Sequence, residues 1–181
     1  MKALTMVDLT LRRAGPDEYE LLGRMNRELI EDEHHRNPMN AAELAERARR
    51  LIEKGWSIEL IVRGREIVGF ATYRREPAGP LATQFHLRHF FVARQWRRRG
   101  IGREALRPLL ARCKRGECVV IDVLEANPEG RAFWSSMGFE PYALRMERPV
   151  YVADLKFLRS PPAARRGTSN PKATLAIARA H

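Results

Sequence analysis

The segment from Phe85 to Leu124 restricts this chain's fold more than any other. Phe85 to Ala93 is rich in aromatics and reads as a strand, and Arg94 to Arg99 is a basic turn running into Gly100. From Ile101, apolar residues recur at helical spacing through Ala105, Leu106, Leu109, Leu110 and Cys113. Cys118 to Leu124 follows as a short apolar run broken only by Asp122, the pattern of a buried strand. Strand, turn, helix and strand in that order make an α/β unit. Pro108 sits inside the helix and removes the bond its N–H would donate to Glu104, a cost of about 3 kcal/mol, so a bent helix is expected.

The flanking sequence supplies the rest of a sheet and its helices. Asp8 to Arg13 alternates as a short first strand, and after Gly15 and Pro16 the acids Asp17 and Glu18 suit the positive end of a helix. Leu21, Met25 and Leu29, with Leu22 and Ile30 beside them, give that helix one apolar stripe, which ends in the polar run Glu31 to Arg36 and Pro38. Asn40 and Glu43 have the spacing of a capping box and open a second helix, buried through Leu44, Ala48, Leu51 and Ile52 and stopped by Gly55. Trp56, Ile58, Leu60 and Val62 then alternate with polar residues, Gly64 turns the chain, and Ile67 to Tyr73 returns as the second arm of an antiparallel hairpin. Pro77, Gly79 and Pro80 break it. Asn127 and Pro128 start a last helix carrying Phe133, Trp134 and Met137 up to Gly138, and Tyr142 to Glu147 reads as a final strand.

With 181 residues the chain fits one core, and its balance of 44% hydrophobic and 30% charged residues excludes wholesale disorder, collagen-like repeats and a coiled coil. No stretch nears the roughly 18 uncharged apolar residues of a membrane helix, and Ala3 to Val7 is too short for a signal peptide. A cytoplasmic protein without a membrane partner is expected. Cys113 and Cys118 have no His or Cys partners at zinc spacing, so they read as two reduced, mostly buried thiols, with neither disulfide nor metal.

Charge is more telling. The 33 Lys and Arg against 22 Asp and Glu leave +11, which calls for an anionic partner without naming it. Five of these charges, Arg159, Arg165, Arg166, Lys172 and Arg179, lie in a stretch of Pro, Ala and Ser that offers nothing to pack. Residues 159–181 therefore read as a disordered basic tail and 1–158 as the folded domain. Between Arg94 and Arg115, nine basic residues face Glu104 alone, so the basic turn is the electrostatic focus.

A glycine-containing turn at a helix N-terminus is an anion site, because unpaired N–H groups point outward there and glycine admits a phosphate to the backbone. Arg97-Arg98-Arg99-Gly100-Ile101-Gly102 has these features but is neither GxGxxG nor GxxxxGK[ST]. The segment resembles the acetyl-CoA signature [QR]-x-x-G-x-[GA] of the Gcn5-related N-acetyltransferases (GNAT), with Arg97, Gly100 and Gly102 at its fixed positions. Phe90-Phe91-Val92, Asn127, Phe133-Trp134 and Gly138-Phe139 fall where that family places the rest of its cofactor site. The resemblance covers roughly residues 8 to 150.

The resemblance implies a single-domain α/β (α+β) fold with a mixed, mostly antiparallel sheet flanked by helices, in which a splayed strand pair binds acetyl-CoA. The amides of Arg98, Arg99, Gly100, Ile101, Gly102 and Arg103 would then cradle the pyrophosphate, backbone near Phe91 and Val92 would bond the pantetheine arm, and Asn127, Phe133 and Trp134 would line the site. The reaction implied is transfer of acetyl from acetyl-CoA to a primary amine of an unidentified small molecule, peptide or protein, with no metal. An amine can attack only after losing its ammonium proton. His86 stands fourteen residues before Gly100, where several family members carry a Glu or His base, and strand alternation puts it with Arg88, Phe90 and Val92 on one face and His89 on the other, barring a bulge. Glu33, His34 and His35 stand where such enzymes often shape an acceptor pocket, although a solvated polar helix end is the favoured reading. Where the family often has a Tyr acid this chain has Trp134, whose indole is no acid at neutral pH, and Tyr142 is the nearby substitute. Packing alone is the competing role for Phe133 and Trp134, and helix capping for Asn127. Competing functions are a basic nucleic-acid-binding α/β protein using Trp96 and the tail, which leaves the glycines unexplained, and an acyl-CoA-binding module without catalysis. A monomer or homodimer is expected.

Overall fold

The capping box read at Asn40 is formed. Its side chain accepts from the Glu43 N–H at 3.0 Å while Glu43 accepts from the Asn40 N–H at 2.8 Å, and α2 (Ala41–Glu53) starts there. Before it, a 3-10 turn at Pro16–Glu18 leads into α1 (Tyr19–Asp32), whose stripe buries Leu22, Met25, Leu29 and Ile30. The computed structural model describes residues 9–79 and 82–149. The predicted tail, 159–181, lies outside the described residues.

The chain divides into two compact units, Met1–Glu140 and Pro141–His181. The first holds a five-stranded sheet of β1 (Leu9–Arg13), β2 (Ser57–Arg63), β3 (Glu66–Pro77), β4 (Thr83–Val92) and β5 (Cys118–Val120), in that spatial order. All neighbours are antiparallel except β4 and β5, because α3 (Ile101–Leu110) carries the chain back between them. The helix α4 (Pro128–Ser136) follows β5. One sheet face packs Leu60, Phe70 and Phe91 against Leu22, Met25 and Leu29 of α1. On the other, Ala71, Phe85 and Leu87 meet Leu106 and Leu109 of α3 and Trp134 of α4. This is the α/β architecture expected, a mixed and mostly antiparallel sheet flanked by helices.

A bulge corrects the expected faces of β4. Thr72 pairs with His89 but Tyr73 pairs with Leu87, so Arg88 is an extra residue with no partner on β3. One extra residue reverses the alternation. Arg74 pairs with His86, Thr72 with His89 and Phe70 with Phe91, which places both histidines on the α1/α2 face, whereas Phe90 and Val92 turn toward α3.

Other expectations are corrected too. β5 stops at Val120 instead of Leu124. Pro108 lies in the last turn of α3, which ends two residues later, so little helix remains beyond the missing bond. Residues 142–147 form no strand, since their unit contains no described strand to pair with and a lone strand leaves its amides unsatisfied. Both cysteines are free, with Cys113 half-buried and Cys118 exposed rather than buried. Among the described residues no helix is long and apolar enough to cross a membrane.

Candidate active site

Three rungs join β4 to β5: Gln84 with Cys118, Phe85 with Val119 and His86 with Val120. Beyond them residues 87–92 have no partner on that side among the described residues, so the strands part and leave one β4 edge open. Ala93 donates its N–H to Val68 at 2.9 Å, and strand alternation therefore points the amide groups of Val92 away from β3 and into the gap. Those of Phe91 face β3, and its ring is buried in the core. Of the two residues expected to offer backbone groups, Val92 is the one that faces the opening.

The basic turn closes the gap at its end. Arg94–Trp96 makes a 3-10 turn, Arg98 and Gly100 take left-handed φ of 61° and 78°, and α3 starts at Ile101. Glu104 N–H to Gly100 C=O is the first helical bond, which leaves the amides of Ile101, Gly102 and Arg103 without intrahelical partners. A side chain at Gly100 would stand in open space, with no atom within 4 Å of its Cβ. At Gly102 a Cβ would come within 3.2 Å of the Phe133 ring, so that glycine is required by packing as much as by any ligand. Ile101 is buried and anchors the helix.

The arginines of the turn are braces in this structure. Arg97 donates through Nε to the Val92 carbonyl at 2.7 Å and through its terminal nitrogen to Asp32 of α1. Arg94 donates to the same carboxylate. Arg98 reaches Glu129 of α4 at 3.0 Å, and Arg99 lies 5.3 Å from the centre of the Trp96 ring. Arg103 is exposed. Asp32 is a residue that sequence reading missed, because its partners stand more than 60 positions away.

Glu33, beside it, was legible only as part of a polar helix end. Its Oε1 lies 3.5 Å from Nδ2 of Asn127, whose Oδ1 accepts from the Gly130 N–H at 2.8 Å and so caps α4. Asn127 thus caps one helix and touches the end of another. Burial raises the Glu33 carboxyl above its usual range, with Asp32 adding to the rise and the Asn127 bond opposing it. A carboxyl raised in the folded state is stabilising while protonated and loses that advantage as pH climbs through its folded pKa. Glu33→Gln should therefore melt higher than the wild type at neutral pH, with the difference closing in acid. Melting temperatures of both proteins across pH check this, and a constant difference would refute it.

On the same sheet face His86 is half-buried at the last rung before the strands part. Its Nδ1 is 3.1 Å from Glu76 and its Nε2 3.7 Å from Asp122, and its ring meets Trp56 edge-on with centroids 5.3 Å apart. Burial works to raise Glu76, but hydrogen bonds from Arg74 and His86 outweigh it and hold the carboxyl low. An ionised Glu76 makes Nδ1 the protonated nitrogen and leaves Nε2 as the base atom. His89 cannot share that task by cycling protons near neutrality. Burial, reinforced by Arg88 and Arg47, pushes its pKa down to about 3.

Phe133 and Trp134 pack with Phe90 and Phe139 in an aromatic cluster with centroids 5.0–6.1 Å apart; Trp134 is buried in the core, and Phe133, half-buried, packs against it. Tyr142 belongs to the Pro141–His181 unit and its side chain is fully exposed.

Solved structures share this fold. An acetyltransferase from Trypanosoma brucei is 21% identical with a TM-score of 0.58, covering 79% of this chain and 100% of that one. A protein described as a possible acetyltransferase, from Clostridium difficile 630, is 15% identical with a TM-score of 0.66, covering 80% of this chain and 98% of its own. A predicted acetyltransferase from Clostridium acetobutylicum, solved with acetyl-CoA, is 15% identical with a TM-score of 0.62, covering 78% and 96%. No curated protein matches. At these identities the likeness shows the fold, and the sequence pattern of the acetyltransferase (GNAT) family matches residues 19–139, about two thirds of the chain. With the strand gap, the glycine turn and that match in agreement, the chain belongs to the GNAT acetyltransferase family.

Proposed function

We propose that the protein transfers an acetyl group from acetyl-CoA to the amine of an acceptor. The observation that carries this is a junction: the open edge of β4 leads through the basic turn to the unpaired amides at the start of α3. An anion and an extended amide-bearing arm would each find their partners side by side there. Acetyl-CoA would supply the activated acyl thioester. The amides of Arg98 to Arg103 hold its pyrophosphate, with the space beside Gly100 as the approach, and the Val92 N–H holds the arm. Arg97, fixed to the Val92 carbonyl and Asp32, keeps turn and strand edge in register. On the acceptor side, His86 takes the ammonium proton at Nε2 while Glu76 holds Nδ1–H.

Acetyl-CoA at about 100 times its dissociation constant should stabilise the folded protein by about 2.7 kcal/mol, a rise in melting temperature of about 5–10 °C. Duplex DNA at physiological salt should give no comparable rise. If DNA stabilises the protein and millimolar acetyl-CoA does nothing, the basic surface serves nucleic acid and the proposal is wrong.

A further inference from the structure

Many of the described arginines are matched with acids. Arg74 pairs with Glu76, Arg94 and Arg97 with Asp32, Arg49 with Glu46 and Glu53, and Arg112 with Glu59. Two arginines beside His89 are not matched in this way. Arg88, the extra residue of the bulge, lies with its guanidinium 5.4 Å from the centre of the Trp56 ring, and Arg47 is half-buried on α2. Neither has an acidic partner among the described residues, and they are close enough that Arg88 helps burial to lower the pKa of Arg47. Like charges brought together in a partly desolvated place oppose folding unless something negative joins them.

The adjoining polar atoms are also unsatisfied. Thr72 and His89 face each other across β3 and β4, and Thr72 Oγ1 and His89 Nδ1 are shut off from solvent with no hydrogen-bond partner among the described residues. Buried polar atoms left this way each cost about 1–3 kcal/mol, and such sites are commonly completed by a ligand or by ordered water. The imidazole of His89, held neutral by burial and by both arginines, brings no third charge. What would satisfy two guanidiniums at once is an oxyanion, which accepts several charge-assisted hydrogen bonds.

We propose that the acceptor is an amine that also carries an oxyanion, a carboxylate or a phosphoryl group, which Arg47 and Arg88 bind while the amine lies at His86. This rests on the acetyl-transfer reading above. It selects against polyamines, whose cations would meet the arginines with no acid between them.

Matched acceptors test it: β-alanine against its carboxamide, 3-aminopropylphosphonate against 3-aminopropanol, and putrescine. With acetyl-CoA saturating, the anionic member of at least one pair should show a kcat/KM about tenfold or more above its neutral partner, and the pair that does so tells carboxylate from phosphoryl. Putrescine should be poorest. Arg47→Gln and Arg88→Gln should each collapse the anionic-to-neutral ratio toward one, chiefly by raising KM for the anion. Arg88 is exposed on the strand, so that variant serves even if Arg47→Gln folds poorly. Calorimetric titration of the acetyl-CoA-bound protein with β-alanine and 3-aminopropylphosphonate reads binding without turnover. Equal use of neutral and anionic amines, a preference for putrescine, ratios untouched by both variants, or no binding of either anionic probe overturns the inference. Failure of acetyl-CoA itself to bind is seen separately and overturns the transfer reading instead.

Discussion

Gly100→Val is expected to abolish measurable acetyl-CoA binding, a loss of at least about 100-fold in affinity, in a protein that still folds. The open space beside Gly100 is where the proposed pyrophosphate approaches the backbone, and valine would fill it with a branched side chain. A left-handed φ of 78° also strains valine, so stability should fall by about 1–2 kcal/mol, too little to unfold an ordinary domain. Calorimetric titration with acetyl-CoA, alongside circular dichroism, separates the two effects. Gly102→Val is a poorer probe, because its side chain would strike the Phe133 ring and mix packing with binding. A folded Gly100→Val protein with wild-type affinity would remove the turn from the site.

His86→Ala should lower kcat by about 100-fold or more while acetyl-CoA affinity stays near wild type, as expected for loss of a proton acceptor that does not hold the cofactor. The ring also packs on Trp56, so alanine alone could act through local collapse. His86→Gln keeps much of the volume and a hydrogen bond toward Glu76 but has no basic nitrogen, and it should be nearly as slow. A glutamine variant that retains most of its turnover would make His86 a packing residue, with solvent sufficient to remove the proton.

Much of the fold was legible because its signals are local. A capping box, a helical stripe and an alternating hairpin are each written within about twenty residues, and Asn40 with Glu43 sits where its spacing put it. The glycine turn was legible for the same reason. What escaped depends on partners distant in sequence. A bulge is a property of two strands, and nothing in Phe85 to Ala93 alone says that Arg88 is the residue left over. Arg97 reads only as a fixed position of the acetyl-CoA signature until Asp32, 65 residues away, is seen to hold it. The Glu33 carboxyl acquires its raised pKa from burial that only the fold supplies, against the opposing bond from Asn127, 94 residues away. Residues 142–147 have the composition of a strand, but a strand also requires a neighbour.

The bracing of the basic turn bears on the entropy of capture. Loops that bind phosphate through backbone amides are often glycine-rich and mobile, and they lose conformational freedom when the ligand arrives. Here the shape is imposed from several sides: by Asp32 and the Val92 carbonyl on Arg97, by Glu129 on Arg98, and by Trp96 under Arg99. Even the left-handed backbone at Arg98, which a flexible peptide would seldom visit, is already in place. Ordering of the loop is completed during folding, so the encounter with an anion orders little besides the anion itself.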